Sequence, residues 1–254
     1  MKPYQLNIPT KIYFGRDIWE RTLKEAEPLL DGNLMLVTTG RSLTRIGYVE
    51  QLKKQLSACA RVKTITVFDK VSANPRLSEA REGIRLARES GADVVVGFGG
   101  GSAMDMAKAV AAGADVSADI DEYFYTGKEP MDNVLPIIAI PTTAGTGSEL
   151  SKASILTDDV RRIKSGIRGA GLYPKVAIVD SIFTESVPCH ITMETGFDVF
   201  AHAMESYLSK AASPFTQMQS VYAAQIVGRM LPRLAVDIQD TEARKYMSYA
   251  SMMM

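Results

Sequence analysis

Apolar residues in the first 180 positions fall into short runs separated by helix-like stretches. Lys11-Ile-Tyr-Phe-Gly15 reads as a short strand closed by glycine, and a helix-compatible stretch follows from about Ile18 to Leu30. After the turn Asp31-Gly32-Asn33, Leu34 to Thr38 is an apolar run of the buried-strand kind. A helix with Val49, Leu52 and Leu56 on one face comes next, then a weakly alternating strand from Val62 to Phe68. Asn74-Pro75 turns the chain into a helix with Leu77, Ala80, Ile84 and Ala87 on one side, and Gly91 is placed to stop it. Val94-Val-Val96 is another buried strand; the helix after it aligns Ala103, Ala107, Val110, Ala111 and Ala114. Val134–Ile140, Ala153–Thr157 and Val176–Val179 complete the predicted strands. Strand and helix alternating in this way imply a largely parallel sheet covered on both faces.

The pattern changes after Pro188. Thr192–Leu208, Ser220–Leu231 and Thr241 to the end all read as helices, with no strand-like run among them. The expectation is a Rossmann-like α/β domain over residues 1–183, followed by an incomplete all-helical part over 184–254. The last residues, Ala250-Ser-Met-Met-Met254, end an apolar helical pattern without glycine, basic last turn or polar cap. That reads as an element cut short, which would leave Ala201, Met204, Leu208 and Tyr246–Met254 uncovered.

Composition narrows the function classes. Hydrophobic residues make up 46% and charged residues 23% of the 254, enough for a proper core. Lys+Arg and Asp+Glu are both 29, and this balance argues against binding to nucleic acid or a membrane surface through net charge. The two cysteines, Cys59 and Cys189, form neither a disulfide framework nor a CxxC pair, as expected of a reduced cytoplasmic protein. No signal peptide or membrane span is expected, because no apolar run approaches the ~18 residues a span needs.

Three stretches carry candidate chemistry. Gly97, Gly99, Gly100 and Gly101 end a buried strand and lead into a helix. Free N–H groups and the positive end of a helix dipole there suit a phosphate, although a tight strand-to-helix turn needs no ligand. Ser102 and Asp105, three apart at the helix start, fit a capping box. Thr142-Thr-Ala-Gly-Thr-Gly-Ser148 also follows an apolar strand, and its hydroxyls suit a cofactor's phosphate, ribose or amide. Alone it is an ordinary polar turn; two such loops at the carboxyl edge of a parallel sheet say more, since open α/β sheets bind ligands there. Asp198 and His202 stand i,i+4 on a helix and so share a face. They could bind one divalent metal or form an ordinary surface pair. His190, the only other histidine, reads as exposed or packing.

Taken in order, Asn74-Pro75, Gly99-Gly-Gly-Ser-Ala-Met-Asp105 with Lys108, Pro141-Thr-Thr-Ala-Gly-Thr-Gly-Ser-Glu149, and Gly196-Phe-Asp198 with His202-Ala-Met-Glu205 resemble the iron-containing (group III, metal-dependent) alcohol dehydrogenase family. The resemblance runs from Lys11 to the final methionine. It implies a cleft between a dinucleotide-binding domain and a helical domain, in which alcohol and aldehyde or ketone are interconverted with NADP or NAD. A metal, Fe²⁺ or Zn²⁺, would polarise the substrate oxygen while hydride moves to or from the nicotinamide.

By matching position, Gly100, Gly101 and Ser102 would hold the pyrophosphate. Thr39, Asn74, Asp105 and Ile155 would lie near the cofactor, Thr142, Thr143 and Thr146 would contact it, and Lys164 would reach its ribose. Asp198 and His202 would be two metal ligands; family members take two further histidines, and none follows His202 here. NADP is favoured because Thr38-Thr-Gly-Arg41-Ser42 has no carboxylate to repel a 2′-phosphate, and Arg41 could pair with one. Arg41 as a plain surface residue is the competing view. The resemblance also carries the expectation of a cytoplasmic homo-oligomer, most simply a dimer. The alternatives are a truncated, non-catalytic dinucleotide-binding module, or a polyol or polyol-phosphate dehydrogenase of the same superfamily.

Overall fold

The structure is a computed structural model in which residues 3–130 and 133–254 are described, the side chain of Arg41 excepted. Six strands form one parallel sheet: β1 (Lys11–Gly15), β2 (Gly32–Thr38), β3 (Val62–Phe68), β4 (Val94–Gly99), β5 (Ile137–Pro141) and β8 (Val176–Asp180), in the order β1-β8-β5-β4-β2-β3. Two others, β6 (Ala153–Asp158) and β7 (Ile163–Arg168), make a separate antiparallel ribbon. The sheet is Rossmann-like in its logic. From β2 the chain steps outward to β3, then returns to the other side of β2 at β4, which puts a switch point between β2 and β4.

Alternation along the strands splits the sheet core in two. Leu34 and Leu36 with Val94, Val96 and Phe98 face the helices α1 (Trp19–Ala26) and α3 (Tyr48–Ser57). Met35, Val37 and Val95 face α4 (Leu77–Glu89) and α5 (Gly101–Gly113). Where helices stop, the reasons are local. Gly91, at φ 58°, ends α4 in a Schellman arrangement: its N–H donates to Arg88 O and that of Ala92 to Ala87 O, at 3.1 and 2.9 Å. Gly47 breaks the stretch after β2 into α2 (Gly40–Arg45) and α3.

Several expectations need correction. No capping box forms at Ser102 and Asp105. Gly100 occupies the N-cap of α5, so Ser102 already lies inside the helix and donates to Ala73 O at 2.6 Å. Asp105 lies beyond the first turn and bonds elsewhere. β5 starts at Ile137 rather than Val134, since Pro136 has no N–H for a ladder and Leu135 N–H donates to α5 at Ala111 O. The pattern did not reveal β7, in which two of six residues are charged and three exposed, nor α6 (Ile120–Thr126), a single short helix capped by Asp119.

The remaining helices are α7 (Cys189–Leu208), α8 (Pro214–Val236) and α9 (Thr241–Met253). They share a core of Val199, Ala203, Ala223, Ile226, Val227 and Met247. Gly196 lets α7 approach α8 closely, for a Cβ there would stand 2.4 Å from Leu231 Cδ1. Met204 and Leu208 are exposed as expected, but Met247 and Ala250 are buried, because α9 turns its apolar side onto α7 and α8. Arg244 of α9, itself buried, donates to the carbonyls of Thr184, Val187 and Ile238, and so ties this helix to the segment leading out of the sheet. Burial pulls its pKa down against the nearby Glu185. Among the described residues, no helix is long and apolar enough to cross a membrane.

Candidate dinucleotide and metal site

The carboxyl ends of β4 and β5 bring the two glycine loops together. Thr142 N–H donates to Gly99 O at 2.9 Å, joining the loops backbone to backbone. They then run so close that side chains of one fill the space a Cβ would need on the other. A Cβ on Gly100 would lie 3.1 Å from Thr143 Oγ1, and one on Gly101 2.6 Å from Thr146 Oγ1. The second loop is held on its far side as well. Gly145 N–H donates to Ser251 Oγ of α9 at 2.7 Å, and a Cβ on Gly145 would meet Thr195 of α7 at 2.8 Å. Gly147, at φ 60°, closes the loop where only glycine is unstrained.

Between these loops, the ribbon and α7 lies a cleft of about 440 Å³. Gly101, Ser102 and Asp105 of α5, Asn74 before α4, Thr146 of the second loop, Ile155 and Lys164 of the ribbon, and Asp198 and His202 of α7 all line it. Lys164 Nζ donates to Asn74 Oδ1 at 3.4 Å, closing the mouth between ribbon and turn, and Thr157 N–H donates to Pro75 O nearby. Other expected residues stand behind the wall. Thr142 is buried, Thr143 packs on Gly100, and Thr39 lies beside Gly99. Arg41's side chain falls outside the described residues. His190 is exposed and lines no part of the cleft.

A buried polar cluster supports the floor. Asp105 accepts from Ser148 Oγ at 2.6 Å and from Ile155 N–H at 3.0 Å. Burial raises its pKa, opposed chiefly by the Lys108 ammonium. The sequence assigns Lys108 no role of its own, and it offers the Ser148 hydroxyl to a cofactor rather than to Asp105. The available signal was one lysine three residues after an aspartate in a helix otherwise lined with alanine, valine and methionine. Glu149 is fully buried as well, and its carboxyl is pushed up to about 7 by desolvation.

Asp198 Oδ1 and His202 Nε2 are 3.7 Å apart. Two donors bound tetrahedrally at ~2.1 Å stand about 3.4 Å from each other, so the pair fits one divalent ion with little movement. Among the described residues, no group of three or more His, Cys, Asp or Glu is placed to hold a metal.

Known proteins share this chain's sequence pattern and fold. Residues 9–181 match the family model "Iron-containing alcohol dehydrogenase", and residues 192–254 match "Fe-containing alcohol dehydrogenase family, C-terminal". The chain is 32% identical over 219 residues to an NAD-dependent methanol dehydrogenase of Bacillus methanolicus, covering 86% of this chain and 56% of that protein. Its structure resembles sulfoacetaldehyde reductase from Bifidobacterium kashiwanohense in complex with NAD⁺, with TM-score 0.90 and 35% identity, over 100% of this chain and 66% of that one. It also resembles NADH-dependent butanol dehydrogenase A from Thermotoga maritima, with TM-score 0.92 and 27% identity, over 99% and 63%. The chain thus spans less than two thirds of the length of these proteins.

Proposed function

Because the chain belongs to the iron-containing alcohol dehydrogenase family, we propose that it binds NAD(P) and a divalent cation in the cleft described above and serves the interconversion of an alcohol with an aldehyde or ketone. The observation that carries this reading is the single cleft in which both glycine loops, Lys164, Asp198 and His202 meet. The division into residues 1–183 and 184–254, and a cytoplasmic homo-oligomer, belong to the same proposal. Two separate sheet cores and a third core within the helices support the division.

When bound, the dinucleotide supplies the hydride carrier and the cation the Lewis acid. The start of α5 offers free N–H groups and its dipole to the pyrophosphate. Lys164, already donating to Asn74, would offer its ammonium to the ribose, and Thr146 would offer a hydroxyl from the opposite wall. Asp198 and His202 would hold the cation on one face of α7, where it would supply Lewis-acid polarisation of the substrate oxygen.

Calorimetric titration with NADH and NADPH tests the cofactor, and turnover of simple primary alcohols and diols tests the reaction. Cofactor binding without turnover would favour the second reading, a non-catalytic dinucleotide-binding module.

Metal affinity is expected to be weak, since two ligands leave the remaining coordination to water. His202→Ala should lower Zn²⁺ affinity at least tenfold in competition with a chromophoric chelator. Equal affinity would remove His202 from the site.

For the cofactor's 2′ position we propose a preference for NADP over NAD. The run Thr38-Thr-Gly-Arg41-Ser42 at the end of β2 offers no carboxylate to the ribose, and Arg41 is the available cation. Arg41→Ala should erase a preference of about fivefold or more in the same titrations. Similar affinities for both cofactors in the unaltered chain would refute it.

A further inference from the structure

The walls of the cleft come from α5, the second glycine loop and the β6–β7 ribbon, and one buried ammonium touches all three. Lys108 is wholly buried, and its Nζ donates to Ser148 O at 2.7 Å, Ser148 Oγ at 2.9 Å and Ala153 O at 2.8 Å. These three acceptors use every N–H the ammonium has. Ser148 Oγ donates in turn to Asp105 Oδ1, while Asp105 Oδ2 accepts from Ile155 N–H and Asp105 O from Ser154 Oγ. One turn of α5 therefore fastens both the end of the loop and the start of the ribbon. Ser148 and Ala153 line the cleft; Lys108 does not.

An apolar residue of similar length would fill this space without the penalty of burying a charge. Two carboxyl groups face the ammonium, Asp105 from its own helix and Glu149 from the turn after the loop. The cation's distinctive contribution is directional: it holds two backbone carbonyls of different elements at a fixed separation.

We propose that Lys108 is a positioning residue for dinucleotide binding, holding the second loop and the ribbon in the register the cofactor needs without touching it. The inference rests on the dinucleotide reading above.

The test compares Lys108→Met and Ser148→Ala with the unaltered 254-residue chain by hydrogen–deuterium exchange and NADH calorimetry. In Lys108→Met, amides 146–155 should lose protection while those of β4 and β5 keep theirs, and the NADH dissociation constant should rise about tenfold or more. Ser148→Ala keeps both backbone acceptors and should give a smaller change of the same kind. Unchanged exchange and affinity in Lys108→Met would overturn the proposal, and so would protection lost evenly across the sheet. If Lys108→Met does not fold, Ser148→Ala decides: weaker binding with local opening supports the role, and unaltered binding refutes it. Failure of the unaltered chain to bind NADH would refute the dinucleotide reading. The exchange pattern would still show whether Lys108 holds loop and ribbon together.

Discussion

Gly101→Val is expected to raise the NADH dissociation constant more than about 100-fold, roughly 2.7 kcal/mol, while leaving the sheet folded. The sequence alone suggests that the new side chain would fill the pyrophosphate space. The structure gives a different cause. The added Cβ would stand 2.6 Å from Thr146 Oγ1, 2.7 Å from its Cγ2 and 3.0 Å from its Cβ. A β-branched threonine has few rotamers into which to retreat, so the loop itself must move off α5. That loop is already held against α9 through Ser251, and displacement there breaks the shared wall of the cleft. Calorimetry on Gly101→Val measures the loss. The double change Gly101→Val with Thr146→Gly, set against Thr146→Gly alone, supplies the control, because it restores room without restoring the glycine. Recovery of binding in the double variant identifies the loop contact as the cause; undiminished binding in Gly101→Val refutes it.

The second large effect is on stability against pH. Desolvation pushes the Glu149 carboxyl from 4.5 to about 7 and pulls Lys108 from 10.5 to about 8. Between about pH 4.5 and 7 the folded state holds a proton on Glu149 that the unfolded state has released. Stability therefore falls as pH rises through this window, by about 3 kcal/mol. Between about pH 8 and 10.5 the unfolded state holds the extra proton on Lys108, and stability rises with pH by a similar amount. The two together give a minimum near pH 7–8 where other groups change little. Urea unfolding at a series of pH values measures the curve. Glu149→Gln should flatten its lower limb, and an unaltered slope in that variant would exclude Glu149 as the source.

Much of this was legible in the sequence, for definite reasons. Buried strands such as Val94–Val96 are short apolar runs, and Leu77, Ala80, Ile84 and Ala87 mark the inner side of α4 plainly. The ordered glycine and threonine stretches point to the cleft, and most of the residues expected in it do line it. Other features depend on tertiary partners. The charged ribbon strand Ile163–Arg168 pairs only with β6 and has no apolar run of its own. The groups that hydrogen-bond the Asp105 carboxylate, Ser148 and Ile155, lie more than forty residues away, so spacing along α5 could not name them. Thr142 and Thr143 look equivalent to Thr146 in sequence, yet only Thr146 faces the cleft, because the loop turns at Gly145 against Thr195.

Arg244 has a mechanical consequence. Its guanidinium is buried against three carbonyls on either side of the passage from sheet to helices. A swing of the helices about that passage would strand a buried cation and three acceptors at once. Each charged hydrogen bond lost there would cost ~1.5–3 kcal/mol, more than thermal motion supplies. The joint between the halves is therefore stiff. Any widening of the cleft to admit a ligand would then have to part the ribbon from the turn before α4, where Lys164 donates to Asn74 and Thr157 N–H to Pro75 O.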